Sequence, residues 1–194
     1  TDADEAPFLA AVDGYRDLLD EVTRQARSSA PDRLALLSTF ERFRVLCAVH
    51  TGPRGVQAFN DRLTEAARRR VALDGLADDG VWFEGRPVVM QANDYAVGLF
   101  NGDIGLALSD DQGRLKVWFV DAGKAPRPID PVRLPRHRTA YAMTVHQAQG
   151  SEFDEVLVVL PLRPSRVLSR EWLYTAVTRS RHAVTLAGPA SRIA

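Results

Sequence analysis

The chain has 194 residues, 45% of them apolar, and its 25 Lys plus Arg balance its 25 Asp plus Glu, for a formal net charge of zero. That length and composition support a sizeable core and exclude wholesale disorder. No global field draws the chain to nucleic acid or membrane, so any such contact has to come from a local patch.

The single cysteine, Cys47, lies in the apolar run R-V-L-C-A-V and reads as a core residue. Disulfide frameworks and cysteine-rich zinc sites are thereby excluded. Arginine dominates the cations, which favours bidentate contacts to phosphate or carboxylate, although a GC-rich genome gives the same bias. No apolar run is long enough to span a bilayer, and the start T-D-A-D-E-A-P is not a signal peptide, so no membrane contact and a cytoplasmic location are expected. The first residue is not methionine, which is what a fragment would show.

Phe8 to Ser28 predicts one amphipathic helix, with Phe8, Val12, Tyr15, Leu18, Leu19 and Val22 at helical spacing. Pro31 opens a second, with Leu34, Leu37 and Phe40 on one face. Val45 to Val49 is a short buried strand, T-G-P-R-G a turn, and Val56 to Arg70 a third helix with Val56, Phe59, Leu63 and Ala67 inward. A loop from Leu73 to Gly80 and a strand from Pro87 to Ala92 follow. From Gly98 to Pro135 the chain alternates with period two among glycines and prolines, predicting an inserted antiparallel meander of three short strands. Then come strand Ala140–Thr144, a helix start at Val145, strand Glu155–Leu160, helix Ser169–Arg181 and strand Ala183–Leu186. Helices alternating with short apolar strands imply an α/β fold with a mostly parallel sheet.

Between two of those strands lies T-V-H-Q-A-Q-G-S-E-F-D, Thr144 to Asp154. Ligands of open α/β sheets bind outside the carboxyl ends of the strands. Thr144 and His146 can donate there to a phosphate or base, Gly150 lets a backbone approach closely, and Glu152 accepts only, which suits a sugar hydroxyl. On residue types alone, a polar helix cap with a satisfied histidine accounts for the run equally well. The second stretch is L-Y-T-A-V-T-R-S-R, Leu173 to Arg181, with Arg179 and Arg181 closing an otherwise apolar helix. Such arginines are usually solvated; the functional reading aims one of them at a phosphate. The basic cluster R-L-P-R-H-R, with Arg136 and Arg138, is either a solvated linker or a lining for a single strand. Tyr95 and Phe100 are candidate stacking residues, whereas Trp82, Trp118 and Trp172 read as core or interface.

These stretches carry a resemblance. T-V-H-Q-A-Q-G-S-E-F resembles motif V of the superfamily 1 helicases, and L-Y-T-A-V-T-R-S-R resembles motif VI. G-P-R-G-V-Q-A-F-N is similar to the motif IV region, and G-R-P-V-V-M-Q-A-N-D-Y-A-V-G-L-F-N-G-D-I-G to the segment leading into a small SH3-like insert. Together they resemble the RecD family, the alpha subunits of exodeoxyribonuclease V, from about Arg44 to the end. The resemblance implies a RecA-like P-loop NTPase-type second motor domain, built from residues 1–97 and 136–194, with an SH3-like β insert at 98–135.

It also implies roles. Single-stranded DNA would meet Thr144, His146, Gln147, Gln149, Asn93, Arg136 and Arg138. The nucleotide would meet Gly150, Glu152, Asn60, Arg54 and Arg179, the last as an arginine finger on the γ-phosphate. Gln147 and Ala148 replace the common Lys-Ser pair, removing one charged contact. The sequence contains no G-x-x-x-x-G-K-[ST] loop. ATP and Mg2+ would therefore be held mainly by an upstream RecA-like domain, and this chain should not hydrolyse ATP alone. The implied activity is ATP-dependent 5′→3′ unwinding beside RecB and RecC type subunits, in double-strand break repair and recombination. A stand-alone RecD-like translocase and a non-enzymatic module docking a nuclease are the alternatives.

Overall fold

A computed structural model describes residues 5–163 and 165–189; the first four residues of the leading acidic run lie outside it. In chain order the elements are α1 (Ala6–Gly14), α2 (Arg16–Ala26), α3 (Arg33–Arg42), β1 (Phe43–Cys47), α4 (Val56–Leu73), β2 (Pro87–Met90), β3 (Ile104–Ser109), β4 (Leu115–Val120), β5 (Pro126–Ile129), a short 3-10 turn, β6 (His137–Thr139), β7 (Ala142–Thr144), β8 (Phe153–Val159), α5 (Arg170–Val177) and β9 (Ser180–Ala187). Two units share them: Thr1–Tyr15, Glu41–Leu63 and Tyr141–Ala194 form the first, Arg16–Phe40 and Thr64–Ala140 the second. No helix among the described residues is long and apolar enough to cross a membrane.

The first unit is the RecA-like α/β part. Its sheet runs β7-β1-β8-β9 and every pair is parallel. Parallel strands covered on both faces read as continuous apolar runs, and Val45, Leu46 and Cys47 of β1 and Val156 to Val159 of β8 are all buried. Helix α1 packs on β1 and β8, and α5 on β8 and β9. Burial pushes the Cys47 thiol up to about 12, so it is an inert core residue. Arg44, also fully buried in β1, lies 4.9 Å from the Phe153 ring. Burial pulls its pKa down, opposed by the Tyr15 hydroxyl and the charge of Glu41.

The single helix expected over Phe8–Ser28 is two helices, broken at Tyr15. The reason is tertiary. A Cβ at Gly14 would sit 2.3 Å from the Phe43 ring, so only glycine fits there. Tyr15 turns inward, edge-on to Phe43 at 4.9 Å, and donates its hydroxyl to the Tyr141 carbonyl. Burial raises its pKa to about 12. Helical periodicity continues across this point and hides the break.

The second unit holds an antiparallel sheet of order β5-β4-β3-β2-β6. The predicted three-strand meander is larger than the segment 98–135. β2 pairs with β3 and with β6, so the strand at Pro87 belongs to this sheet and not to the parallel one. P-V-V-M is a short apolar run that fits either kind of sheet, and periodicity says nothing about its partners. The core gathers Trp82, Val88, Met90, Leu99, Ala107, Val117, Phe119 and Ile129. Buried Glu84 accepts from the Ser109 amide at 2.9 Å and from its hydroxyl at 2.6 Å. Burial nevertheless holds its pKa above the ordinary value.

Candidate nucleotide and nucleic-acid edges

Strand direction sorts the polar run into two places. Thr144 ends β7 level with Cys47, the last residue of β1. Phe153 begins β8 two residues before Glu155, which pairs with Phe43, the first residue of β1. Thr144 therefore sits at the carboxyl edge of the sheet, and Ser151 and Glu152 sit at the amino edge. At about 3.3 Å per residue the two levels are roughly 20 Å apart. One strand-end site for the whole run was expected; the structure shows a crossing with a polar group at each end.

Past Thr144, where the chain leaves the carboxyl edge and crosses toward the amino edge, no helix starts at Val145. Residues 145–150 form a turn, with Val145 and Ala148 buried and His146, Gln147, Gln149 and Gly150 exposed. The Gln147 side-chain oxygen accepts from the Thr144 amide and hydroxyl, both at 3.1 Å. The Thr144 hydroxyl in turn lies 3.3 Å from the Gln147 amide. Thr144 and Gln147 thus fix one another while His146 and Gln149 stand out toward solvent. Gly150 closes the turn at φ +85, a conformation L side chains rarely adopt, with open space where a Cβ would point.

At the amino edge, half-buried Arg179 follows the end of α5. Its Nη1 donates to the Ser151 carbonyl at 3.2 Å and its Nε to the Thr175 carbonyl of its own helix at 3.3 Å. The Phe153 amide donates to the Arg179 carbonyl at 2.8 Å. The guanidinium is thereby aligned by a helix C-terminus, where cations are favoured, and by the loop that carries Gly150 and Glu152. A guanidinium has five donors, so these bonds leave others for an incoming oxyanion. Glu152 already pairs with Arg181, at 3.2 Å. Arg181, Arg42 and His182 all face Asp154, within 3.6 to 3.8 Å. Sequence reasoning missed this cluster because Arg181 was placed on the helix; it lies in β9.

Two of the expected nucleotide residues are engaged elsewhere. Asn60 is buried, donates to the Ala142 carbonyl and accepts from the Ala142 amide, both at 2.9 Å. Both atoms of its amide latch the edge strand β7. Arg54 is also buried and reaches the Leu160 carbonyl at 3.4 Å, just past the end of β8. That is the carboxyl edge, so the structure does not bring Arg54 to Arg179. In the second unit Asn93 accepts from the Asn101 amide at 2.8 Å. Arg138 lies in β6 opposite Val89, and Arg136, just before the strand, accepts from the Gln91 amide at 2.8 Å through its carbonyl. Burial lowers the Arg138 pKa. Among the described residues no group of three His, Cys, Asp or Glu is placed to hold a metal ion.

The UvrD-like helicase C-terminal domain matches residues 139–187, which contain both edges. The RecBCD enzyme subunit RecD of Mycobacterium tuberculosis (strain H37Rv) is 37% identical over 187 residues, covering 96% of this chain and 31% of that protein. The RecD subunit of Haemophilus influenzae is 33% identical, covering 95% and 29%. The ATP-dependent RecD2 DNA helicase of Deinococcus radiodurans is 37% identical over 153 residues, covering 76% and 20%. Among solved structures, the Pif1 helicase of Candida albicans overlays with a TM-score of 0.49 at 14% identity, over 95% of this chain and 56% of that one. The chain spans about a third of the length of the RecD subunits it matches. With the UvrD-like helicase C-terminal domain matched over residues 139–187 and RecD subunits aligned along nearly its whole length, this chain belongs to the RecD family.

Proposed function

We propose that this chain is the C-terminal motor domain of an ATP-dependent 5′→3′ DNA helicase, acting as the RecD subunit of a RecBCD-type helicase-nuclease. The observation that carries this reading is the Arg179 guanidinium held against the Ser151 carbonyl, beside Gly150 and Glu152. A cation with donors to spare and an exposed acceptor one residue from its anchor fit the phosphates and ribose of a nucleotide. Arg179 serves as the arginine finger, and Glu152 exchanges Arg181 for a sugar hydroxyl. ATP, when bound with Mg2+, supplies the phosphoryl-transfer chemistry, and an upstream RecA-like domain holds most of it. Single-stranded DNA meets Thr144, His146 and Gln147 at the carboxyl edge and Gln149 farther along the crossing. Arg136, Arg138 and Asn93 offer separate contacts in the second unit.

The test is Arg179→Ala in the full-length subunit. An arginine finger is worth about 10³- to 10⁵-fold in turnover. The variant should lose ATP-driven unwinding by that order while keeping a wild-type melting profile. Arg179→Lys keeps the charge without the planar fork and should rescue little. Near-normal turnover in either variant sinks the assignment. The second reading, a stand-alone helicase, is favoured by the 37% identical RecD2 helicase; unwinding by the purified subunit without RecB and RecC type partners would establish it.

A further inference from the structure

The loop from Asn93 to Asp103 in the second unit presents two aromatic rings on a fixed base. Tyr95 is 80% exposed and Phe100 48%, yet their rings pack edge to face with centroids 5.9 Å apart. Single exposed apolar side chains are ordinary, but a preorganised exposed pair is not. The base is built throughout. Asp94 and Leu99 exchange both backbone hydrogen bonds, at 2.7 and 3.0 Å, and Leu99 is buried in the core of the antiparallel sheet. The Asp94 carboxylate takes the amides of Ala96 and Val97, and the Asp103 carboxylate takes that of Phe100. Arg127 donates to the carbonyls of Val97 and Gly98 at 2.8 and 3.0 Å. Both acids are thus occupied by amides. The nearest strand contributes cations: Arg136 sits opposite Gln91, and Arg138 opposite Val89, on the strand that leads into the loop.

We infer that Tyr95 and Phe100 form a corner that stacks an unpaired nucleobase, with Arg136 and Arg138 holding the flanking phosphates. Two rings at 79° give a base one flat face to stack on and one edge to abut, which is a corner and not an intercalation slot. Every base has a π-face, so this contact is tolerant of sequence. A protein partner is disfavoured because the adjoining cations, in a chain of zero net charge, complement a phosphate backbone. The inference rests on the proposed binding of single-stranded DNA and adds the surface that grips the bases.

The test measures binding of a fluorescein-labelled oligothymidylate to the full-length subunit across a salt series. Tyr95→Ala with Phe100→Ala should raise Kd roughly tenfold or more while leaving the slope of log K against log salt unchanged, because stacking releases no counterion. Tyr95→Trp should preserve affinity. Arg136→Gln with Arg138→Gln should instead flatten the slope, by about 0.7 for each phosphate no longer neutralised. An oligonucleotide of abasic sites should bind wild type and the aromatic variant equally. Equal oligothymidylate affinity in the aromatic variant overturns the corner alone, as does a flattened slope in that variant. Failure of the wild-type subunit to bind the oligonucleotide at any salt overturns both the corner and the DNA-binding reading beneath it.

Discussion

Asn60→Ala isolates the latch on β7. β7 is the edge of the parallel sheet, and the Ala142 amide and carbonyl that find no partner in β1 are both completed by the Asn60 side chain. Removing that side chain strands two backbone groups of a residue that is only 1% exposed. An unsatisfied buried donor or acceptor costs about 1–3 kcal/mol, and a water entering the vacated space recovers part of it. The expected loss is therefore about 2–4 kcal/mol. For a chain of this size each kcal/mol moves the midpoint by roughly 2–4 °C, so Tm should fall by about 5–15 °C. Urea melts of wild type and variant measure the difference directly. Asn60→Asp should cost at least as much, since a carboxylate still accepts from the Ala142 amide but faces the Ala142 carbonyl with no proton. A loss below about 0.5 kcal/mol for Asn60→Ala would refute the latch, because ordinary surface substitutions fall in that range. The folded variant should also retain nucleotide turnover, whereas a nucleotide contact would lose it.

Gly150→Ala should cost about 1–2 kcal/mol from backbone strain alone, since φ is +85 and nothing obstructs a Cβ there; an unchanged urea midpoint would show that the turn relaxes freely. Glu84 gives a pH signature. Its folded-state pKa is raised above 4.5 by burial, so its contribution is full below that value and is lost as pH rises through the folded pKa. The stability of wild type minus that of Glu84→Gln should therefore decline from acid toward neutral pH, and a flat difference over that window would contradict the burial argument.

The sequence made the strands of the parallel sheet legible because buried apolar runs leave few alternatives, and β1, β8 and β9 lie within a few residues of where patterning placed them. Partnership was not legible. P-V-V-M at Pro87 is equally apolar in either sheet, and H-R-T at His137 has no alternation to announce the strand β6. The helix break at Tyr15 depends on Phe43, which is distant in sequence. At the site, Arg179 and the Gly150–Glu152 segment were named from their motifs and the structure brings them together. Asn60 reads as a nucleotide contact in sequence because an amide beside a motif offers the same atoms to a nucleotide or to a strand; its bonds to Ala142 are visible only in the fold. The Asp154 cluster is invisible in sequence because its cations come from two elements far apart in the chain, Arg42 from the end of α3 and Arg181 and His182 from the start of β9.

The crossing from Thr144 to Phe153 leaves little spare chain. It must climb roughly 20 Å and pass one intervening strand, a span of about 22 Å that a fully extended chain covers in six or seven steps. Nine steps are present, and the turn around Val145 and Ala148 takes up the excess. The length of this segment is therefore a gauge. A deleted residue would draw the turn taut and uncover Val145 or Ala148, and an inserted one would slacken it. Either change shifts the exposed side chains carried on the crossing relative to the two edges, whose separation the pairing of β7 and β8 with β1 holds fixed.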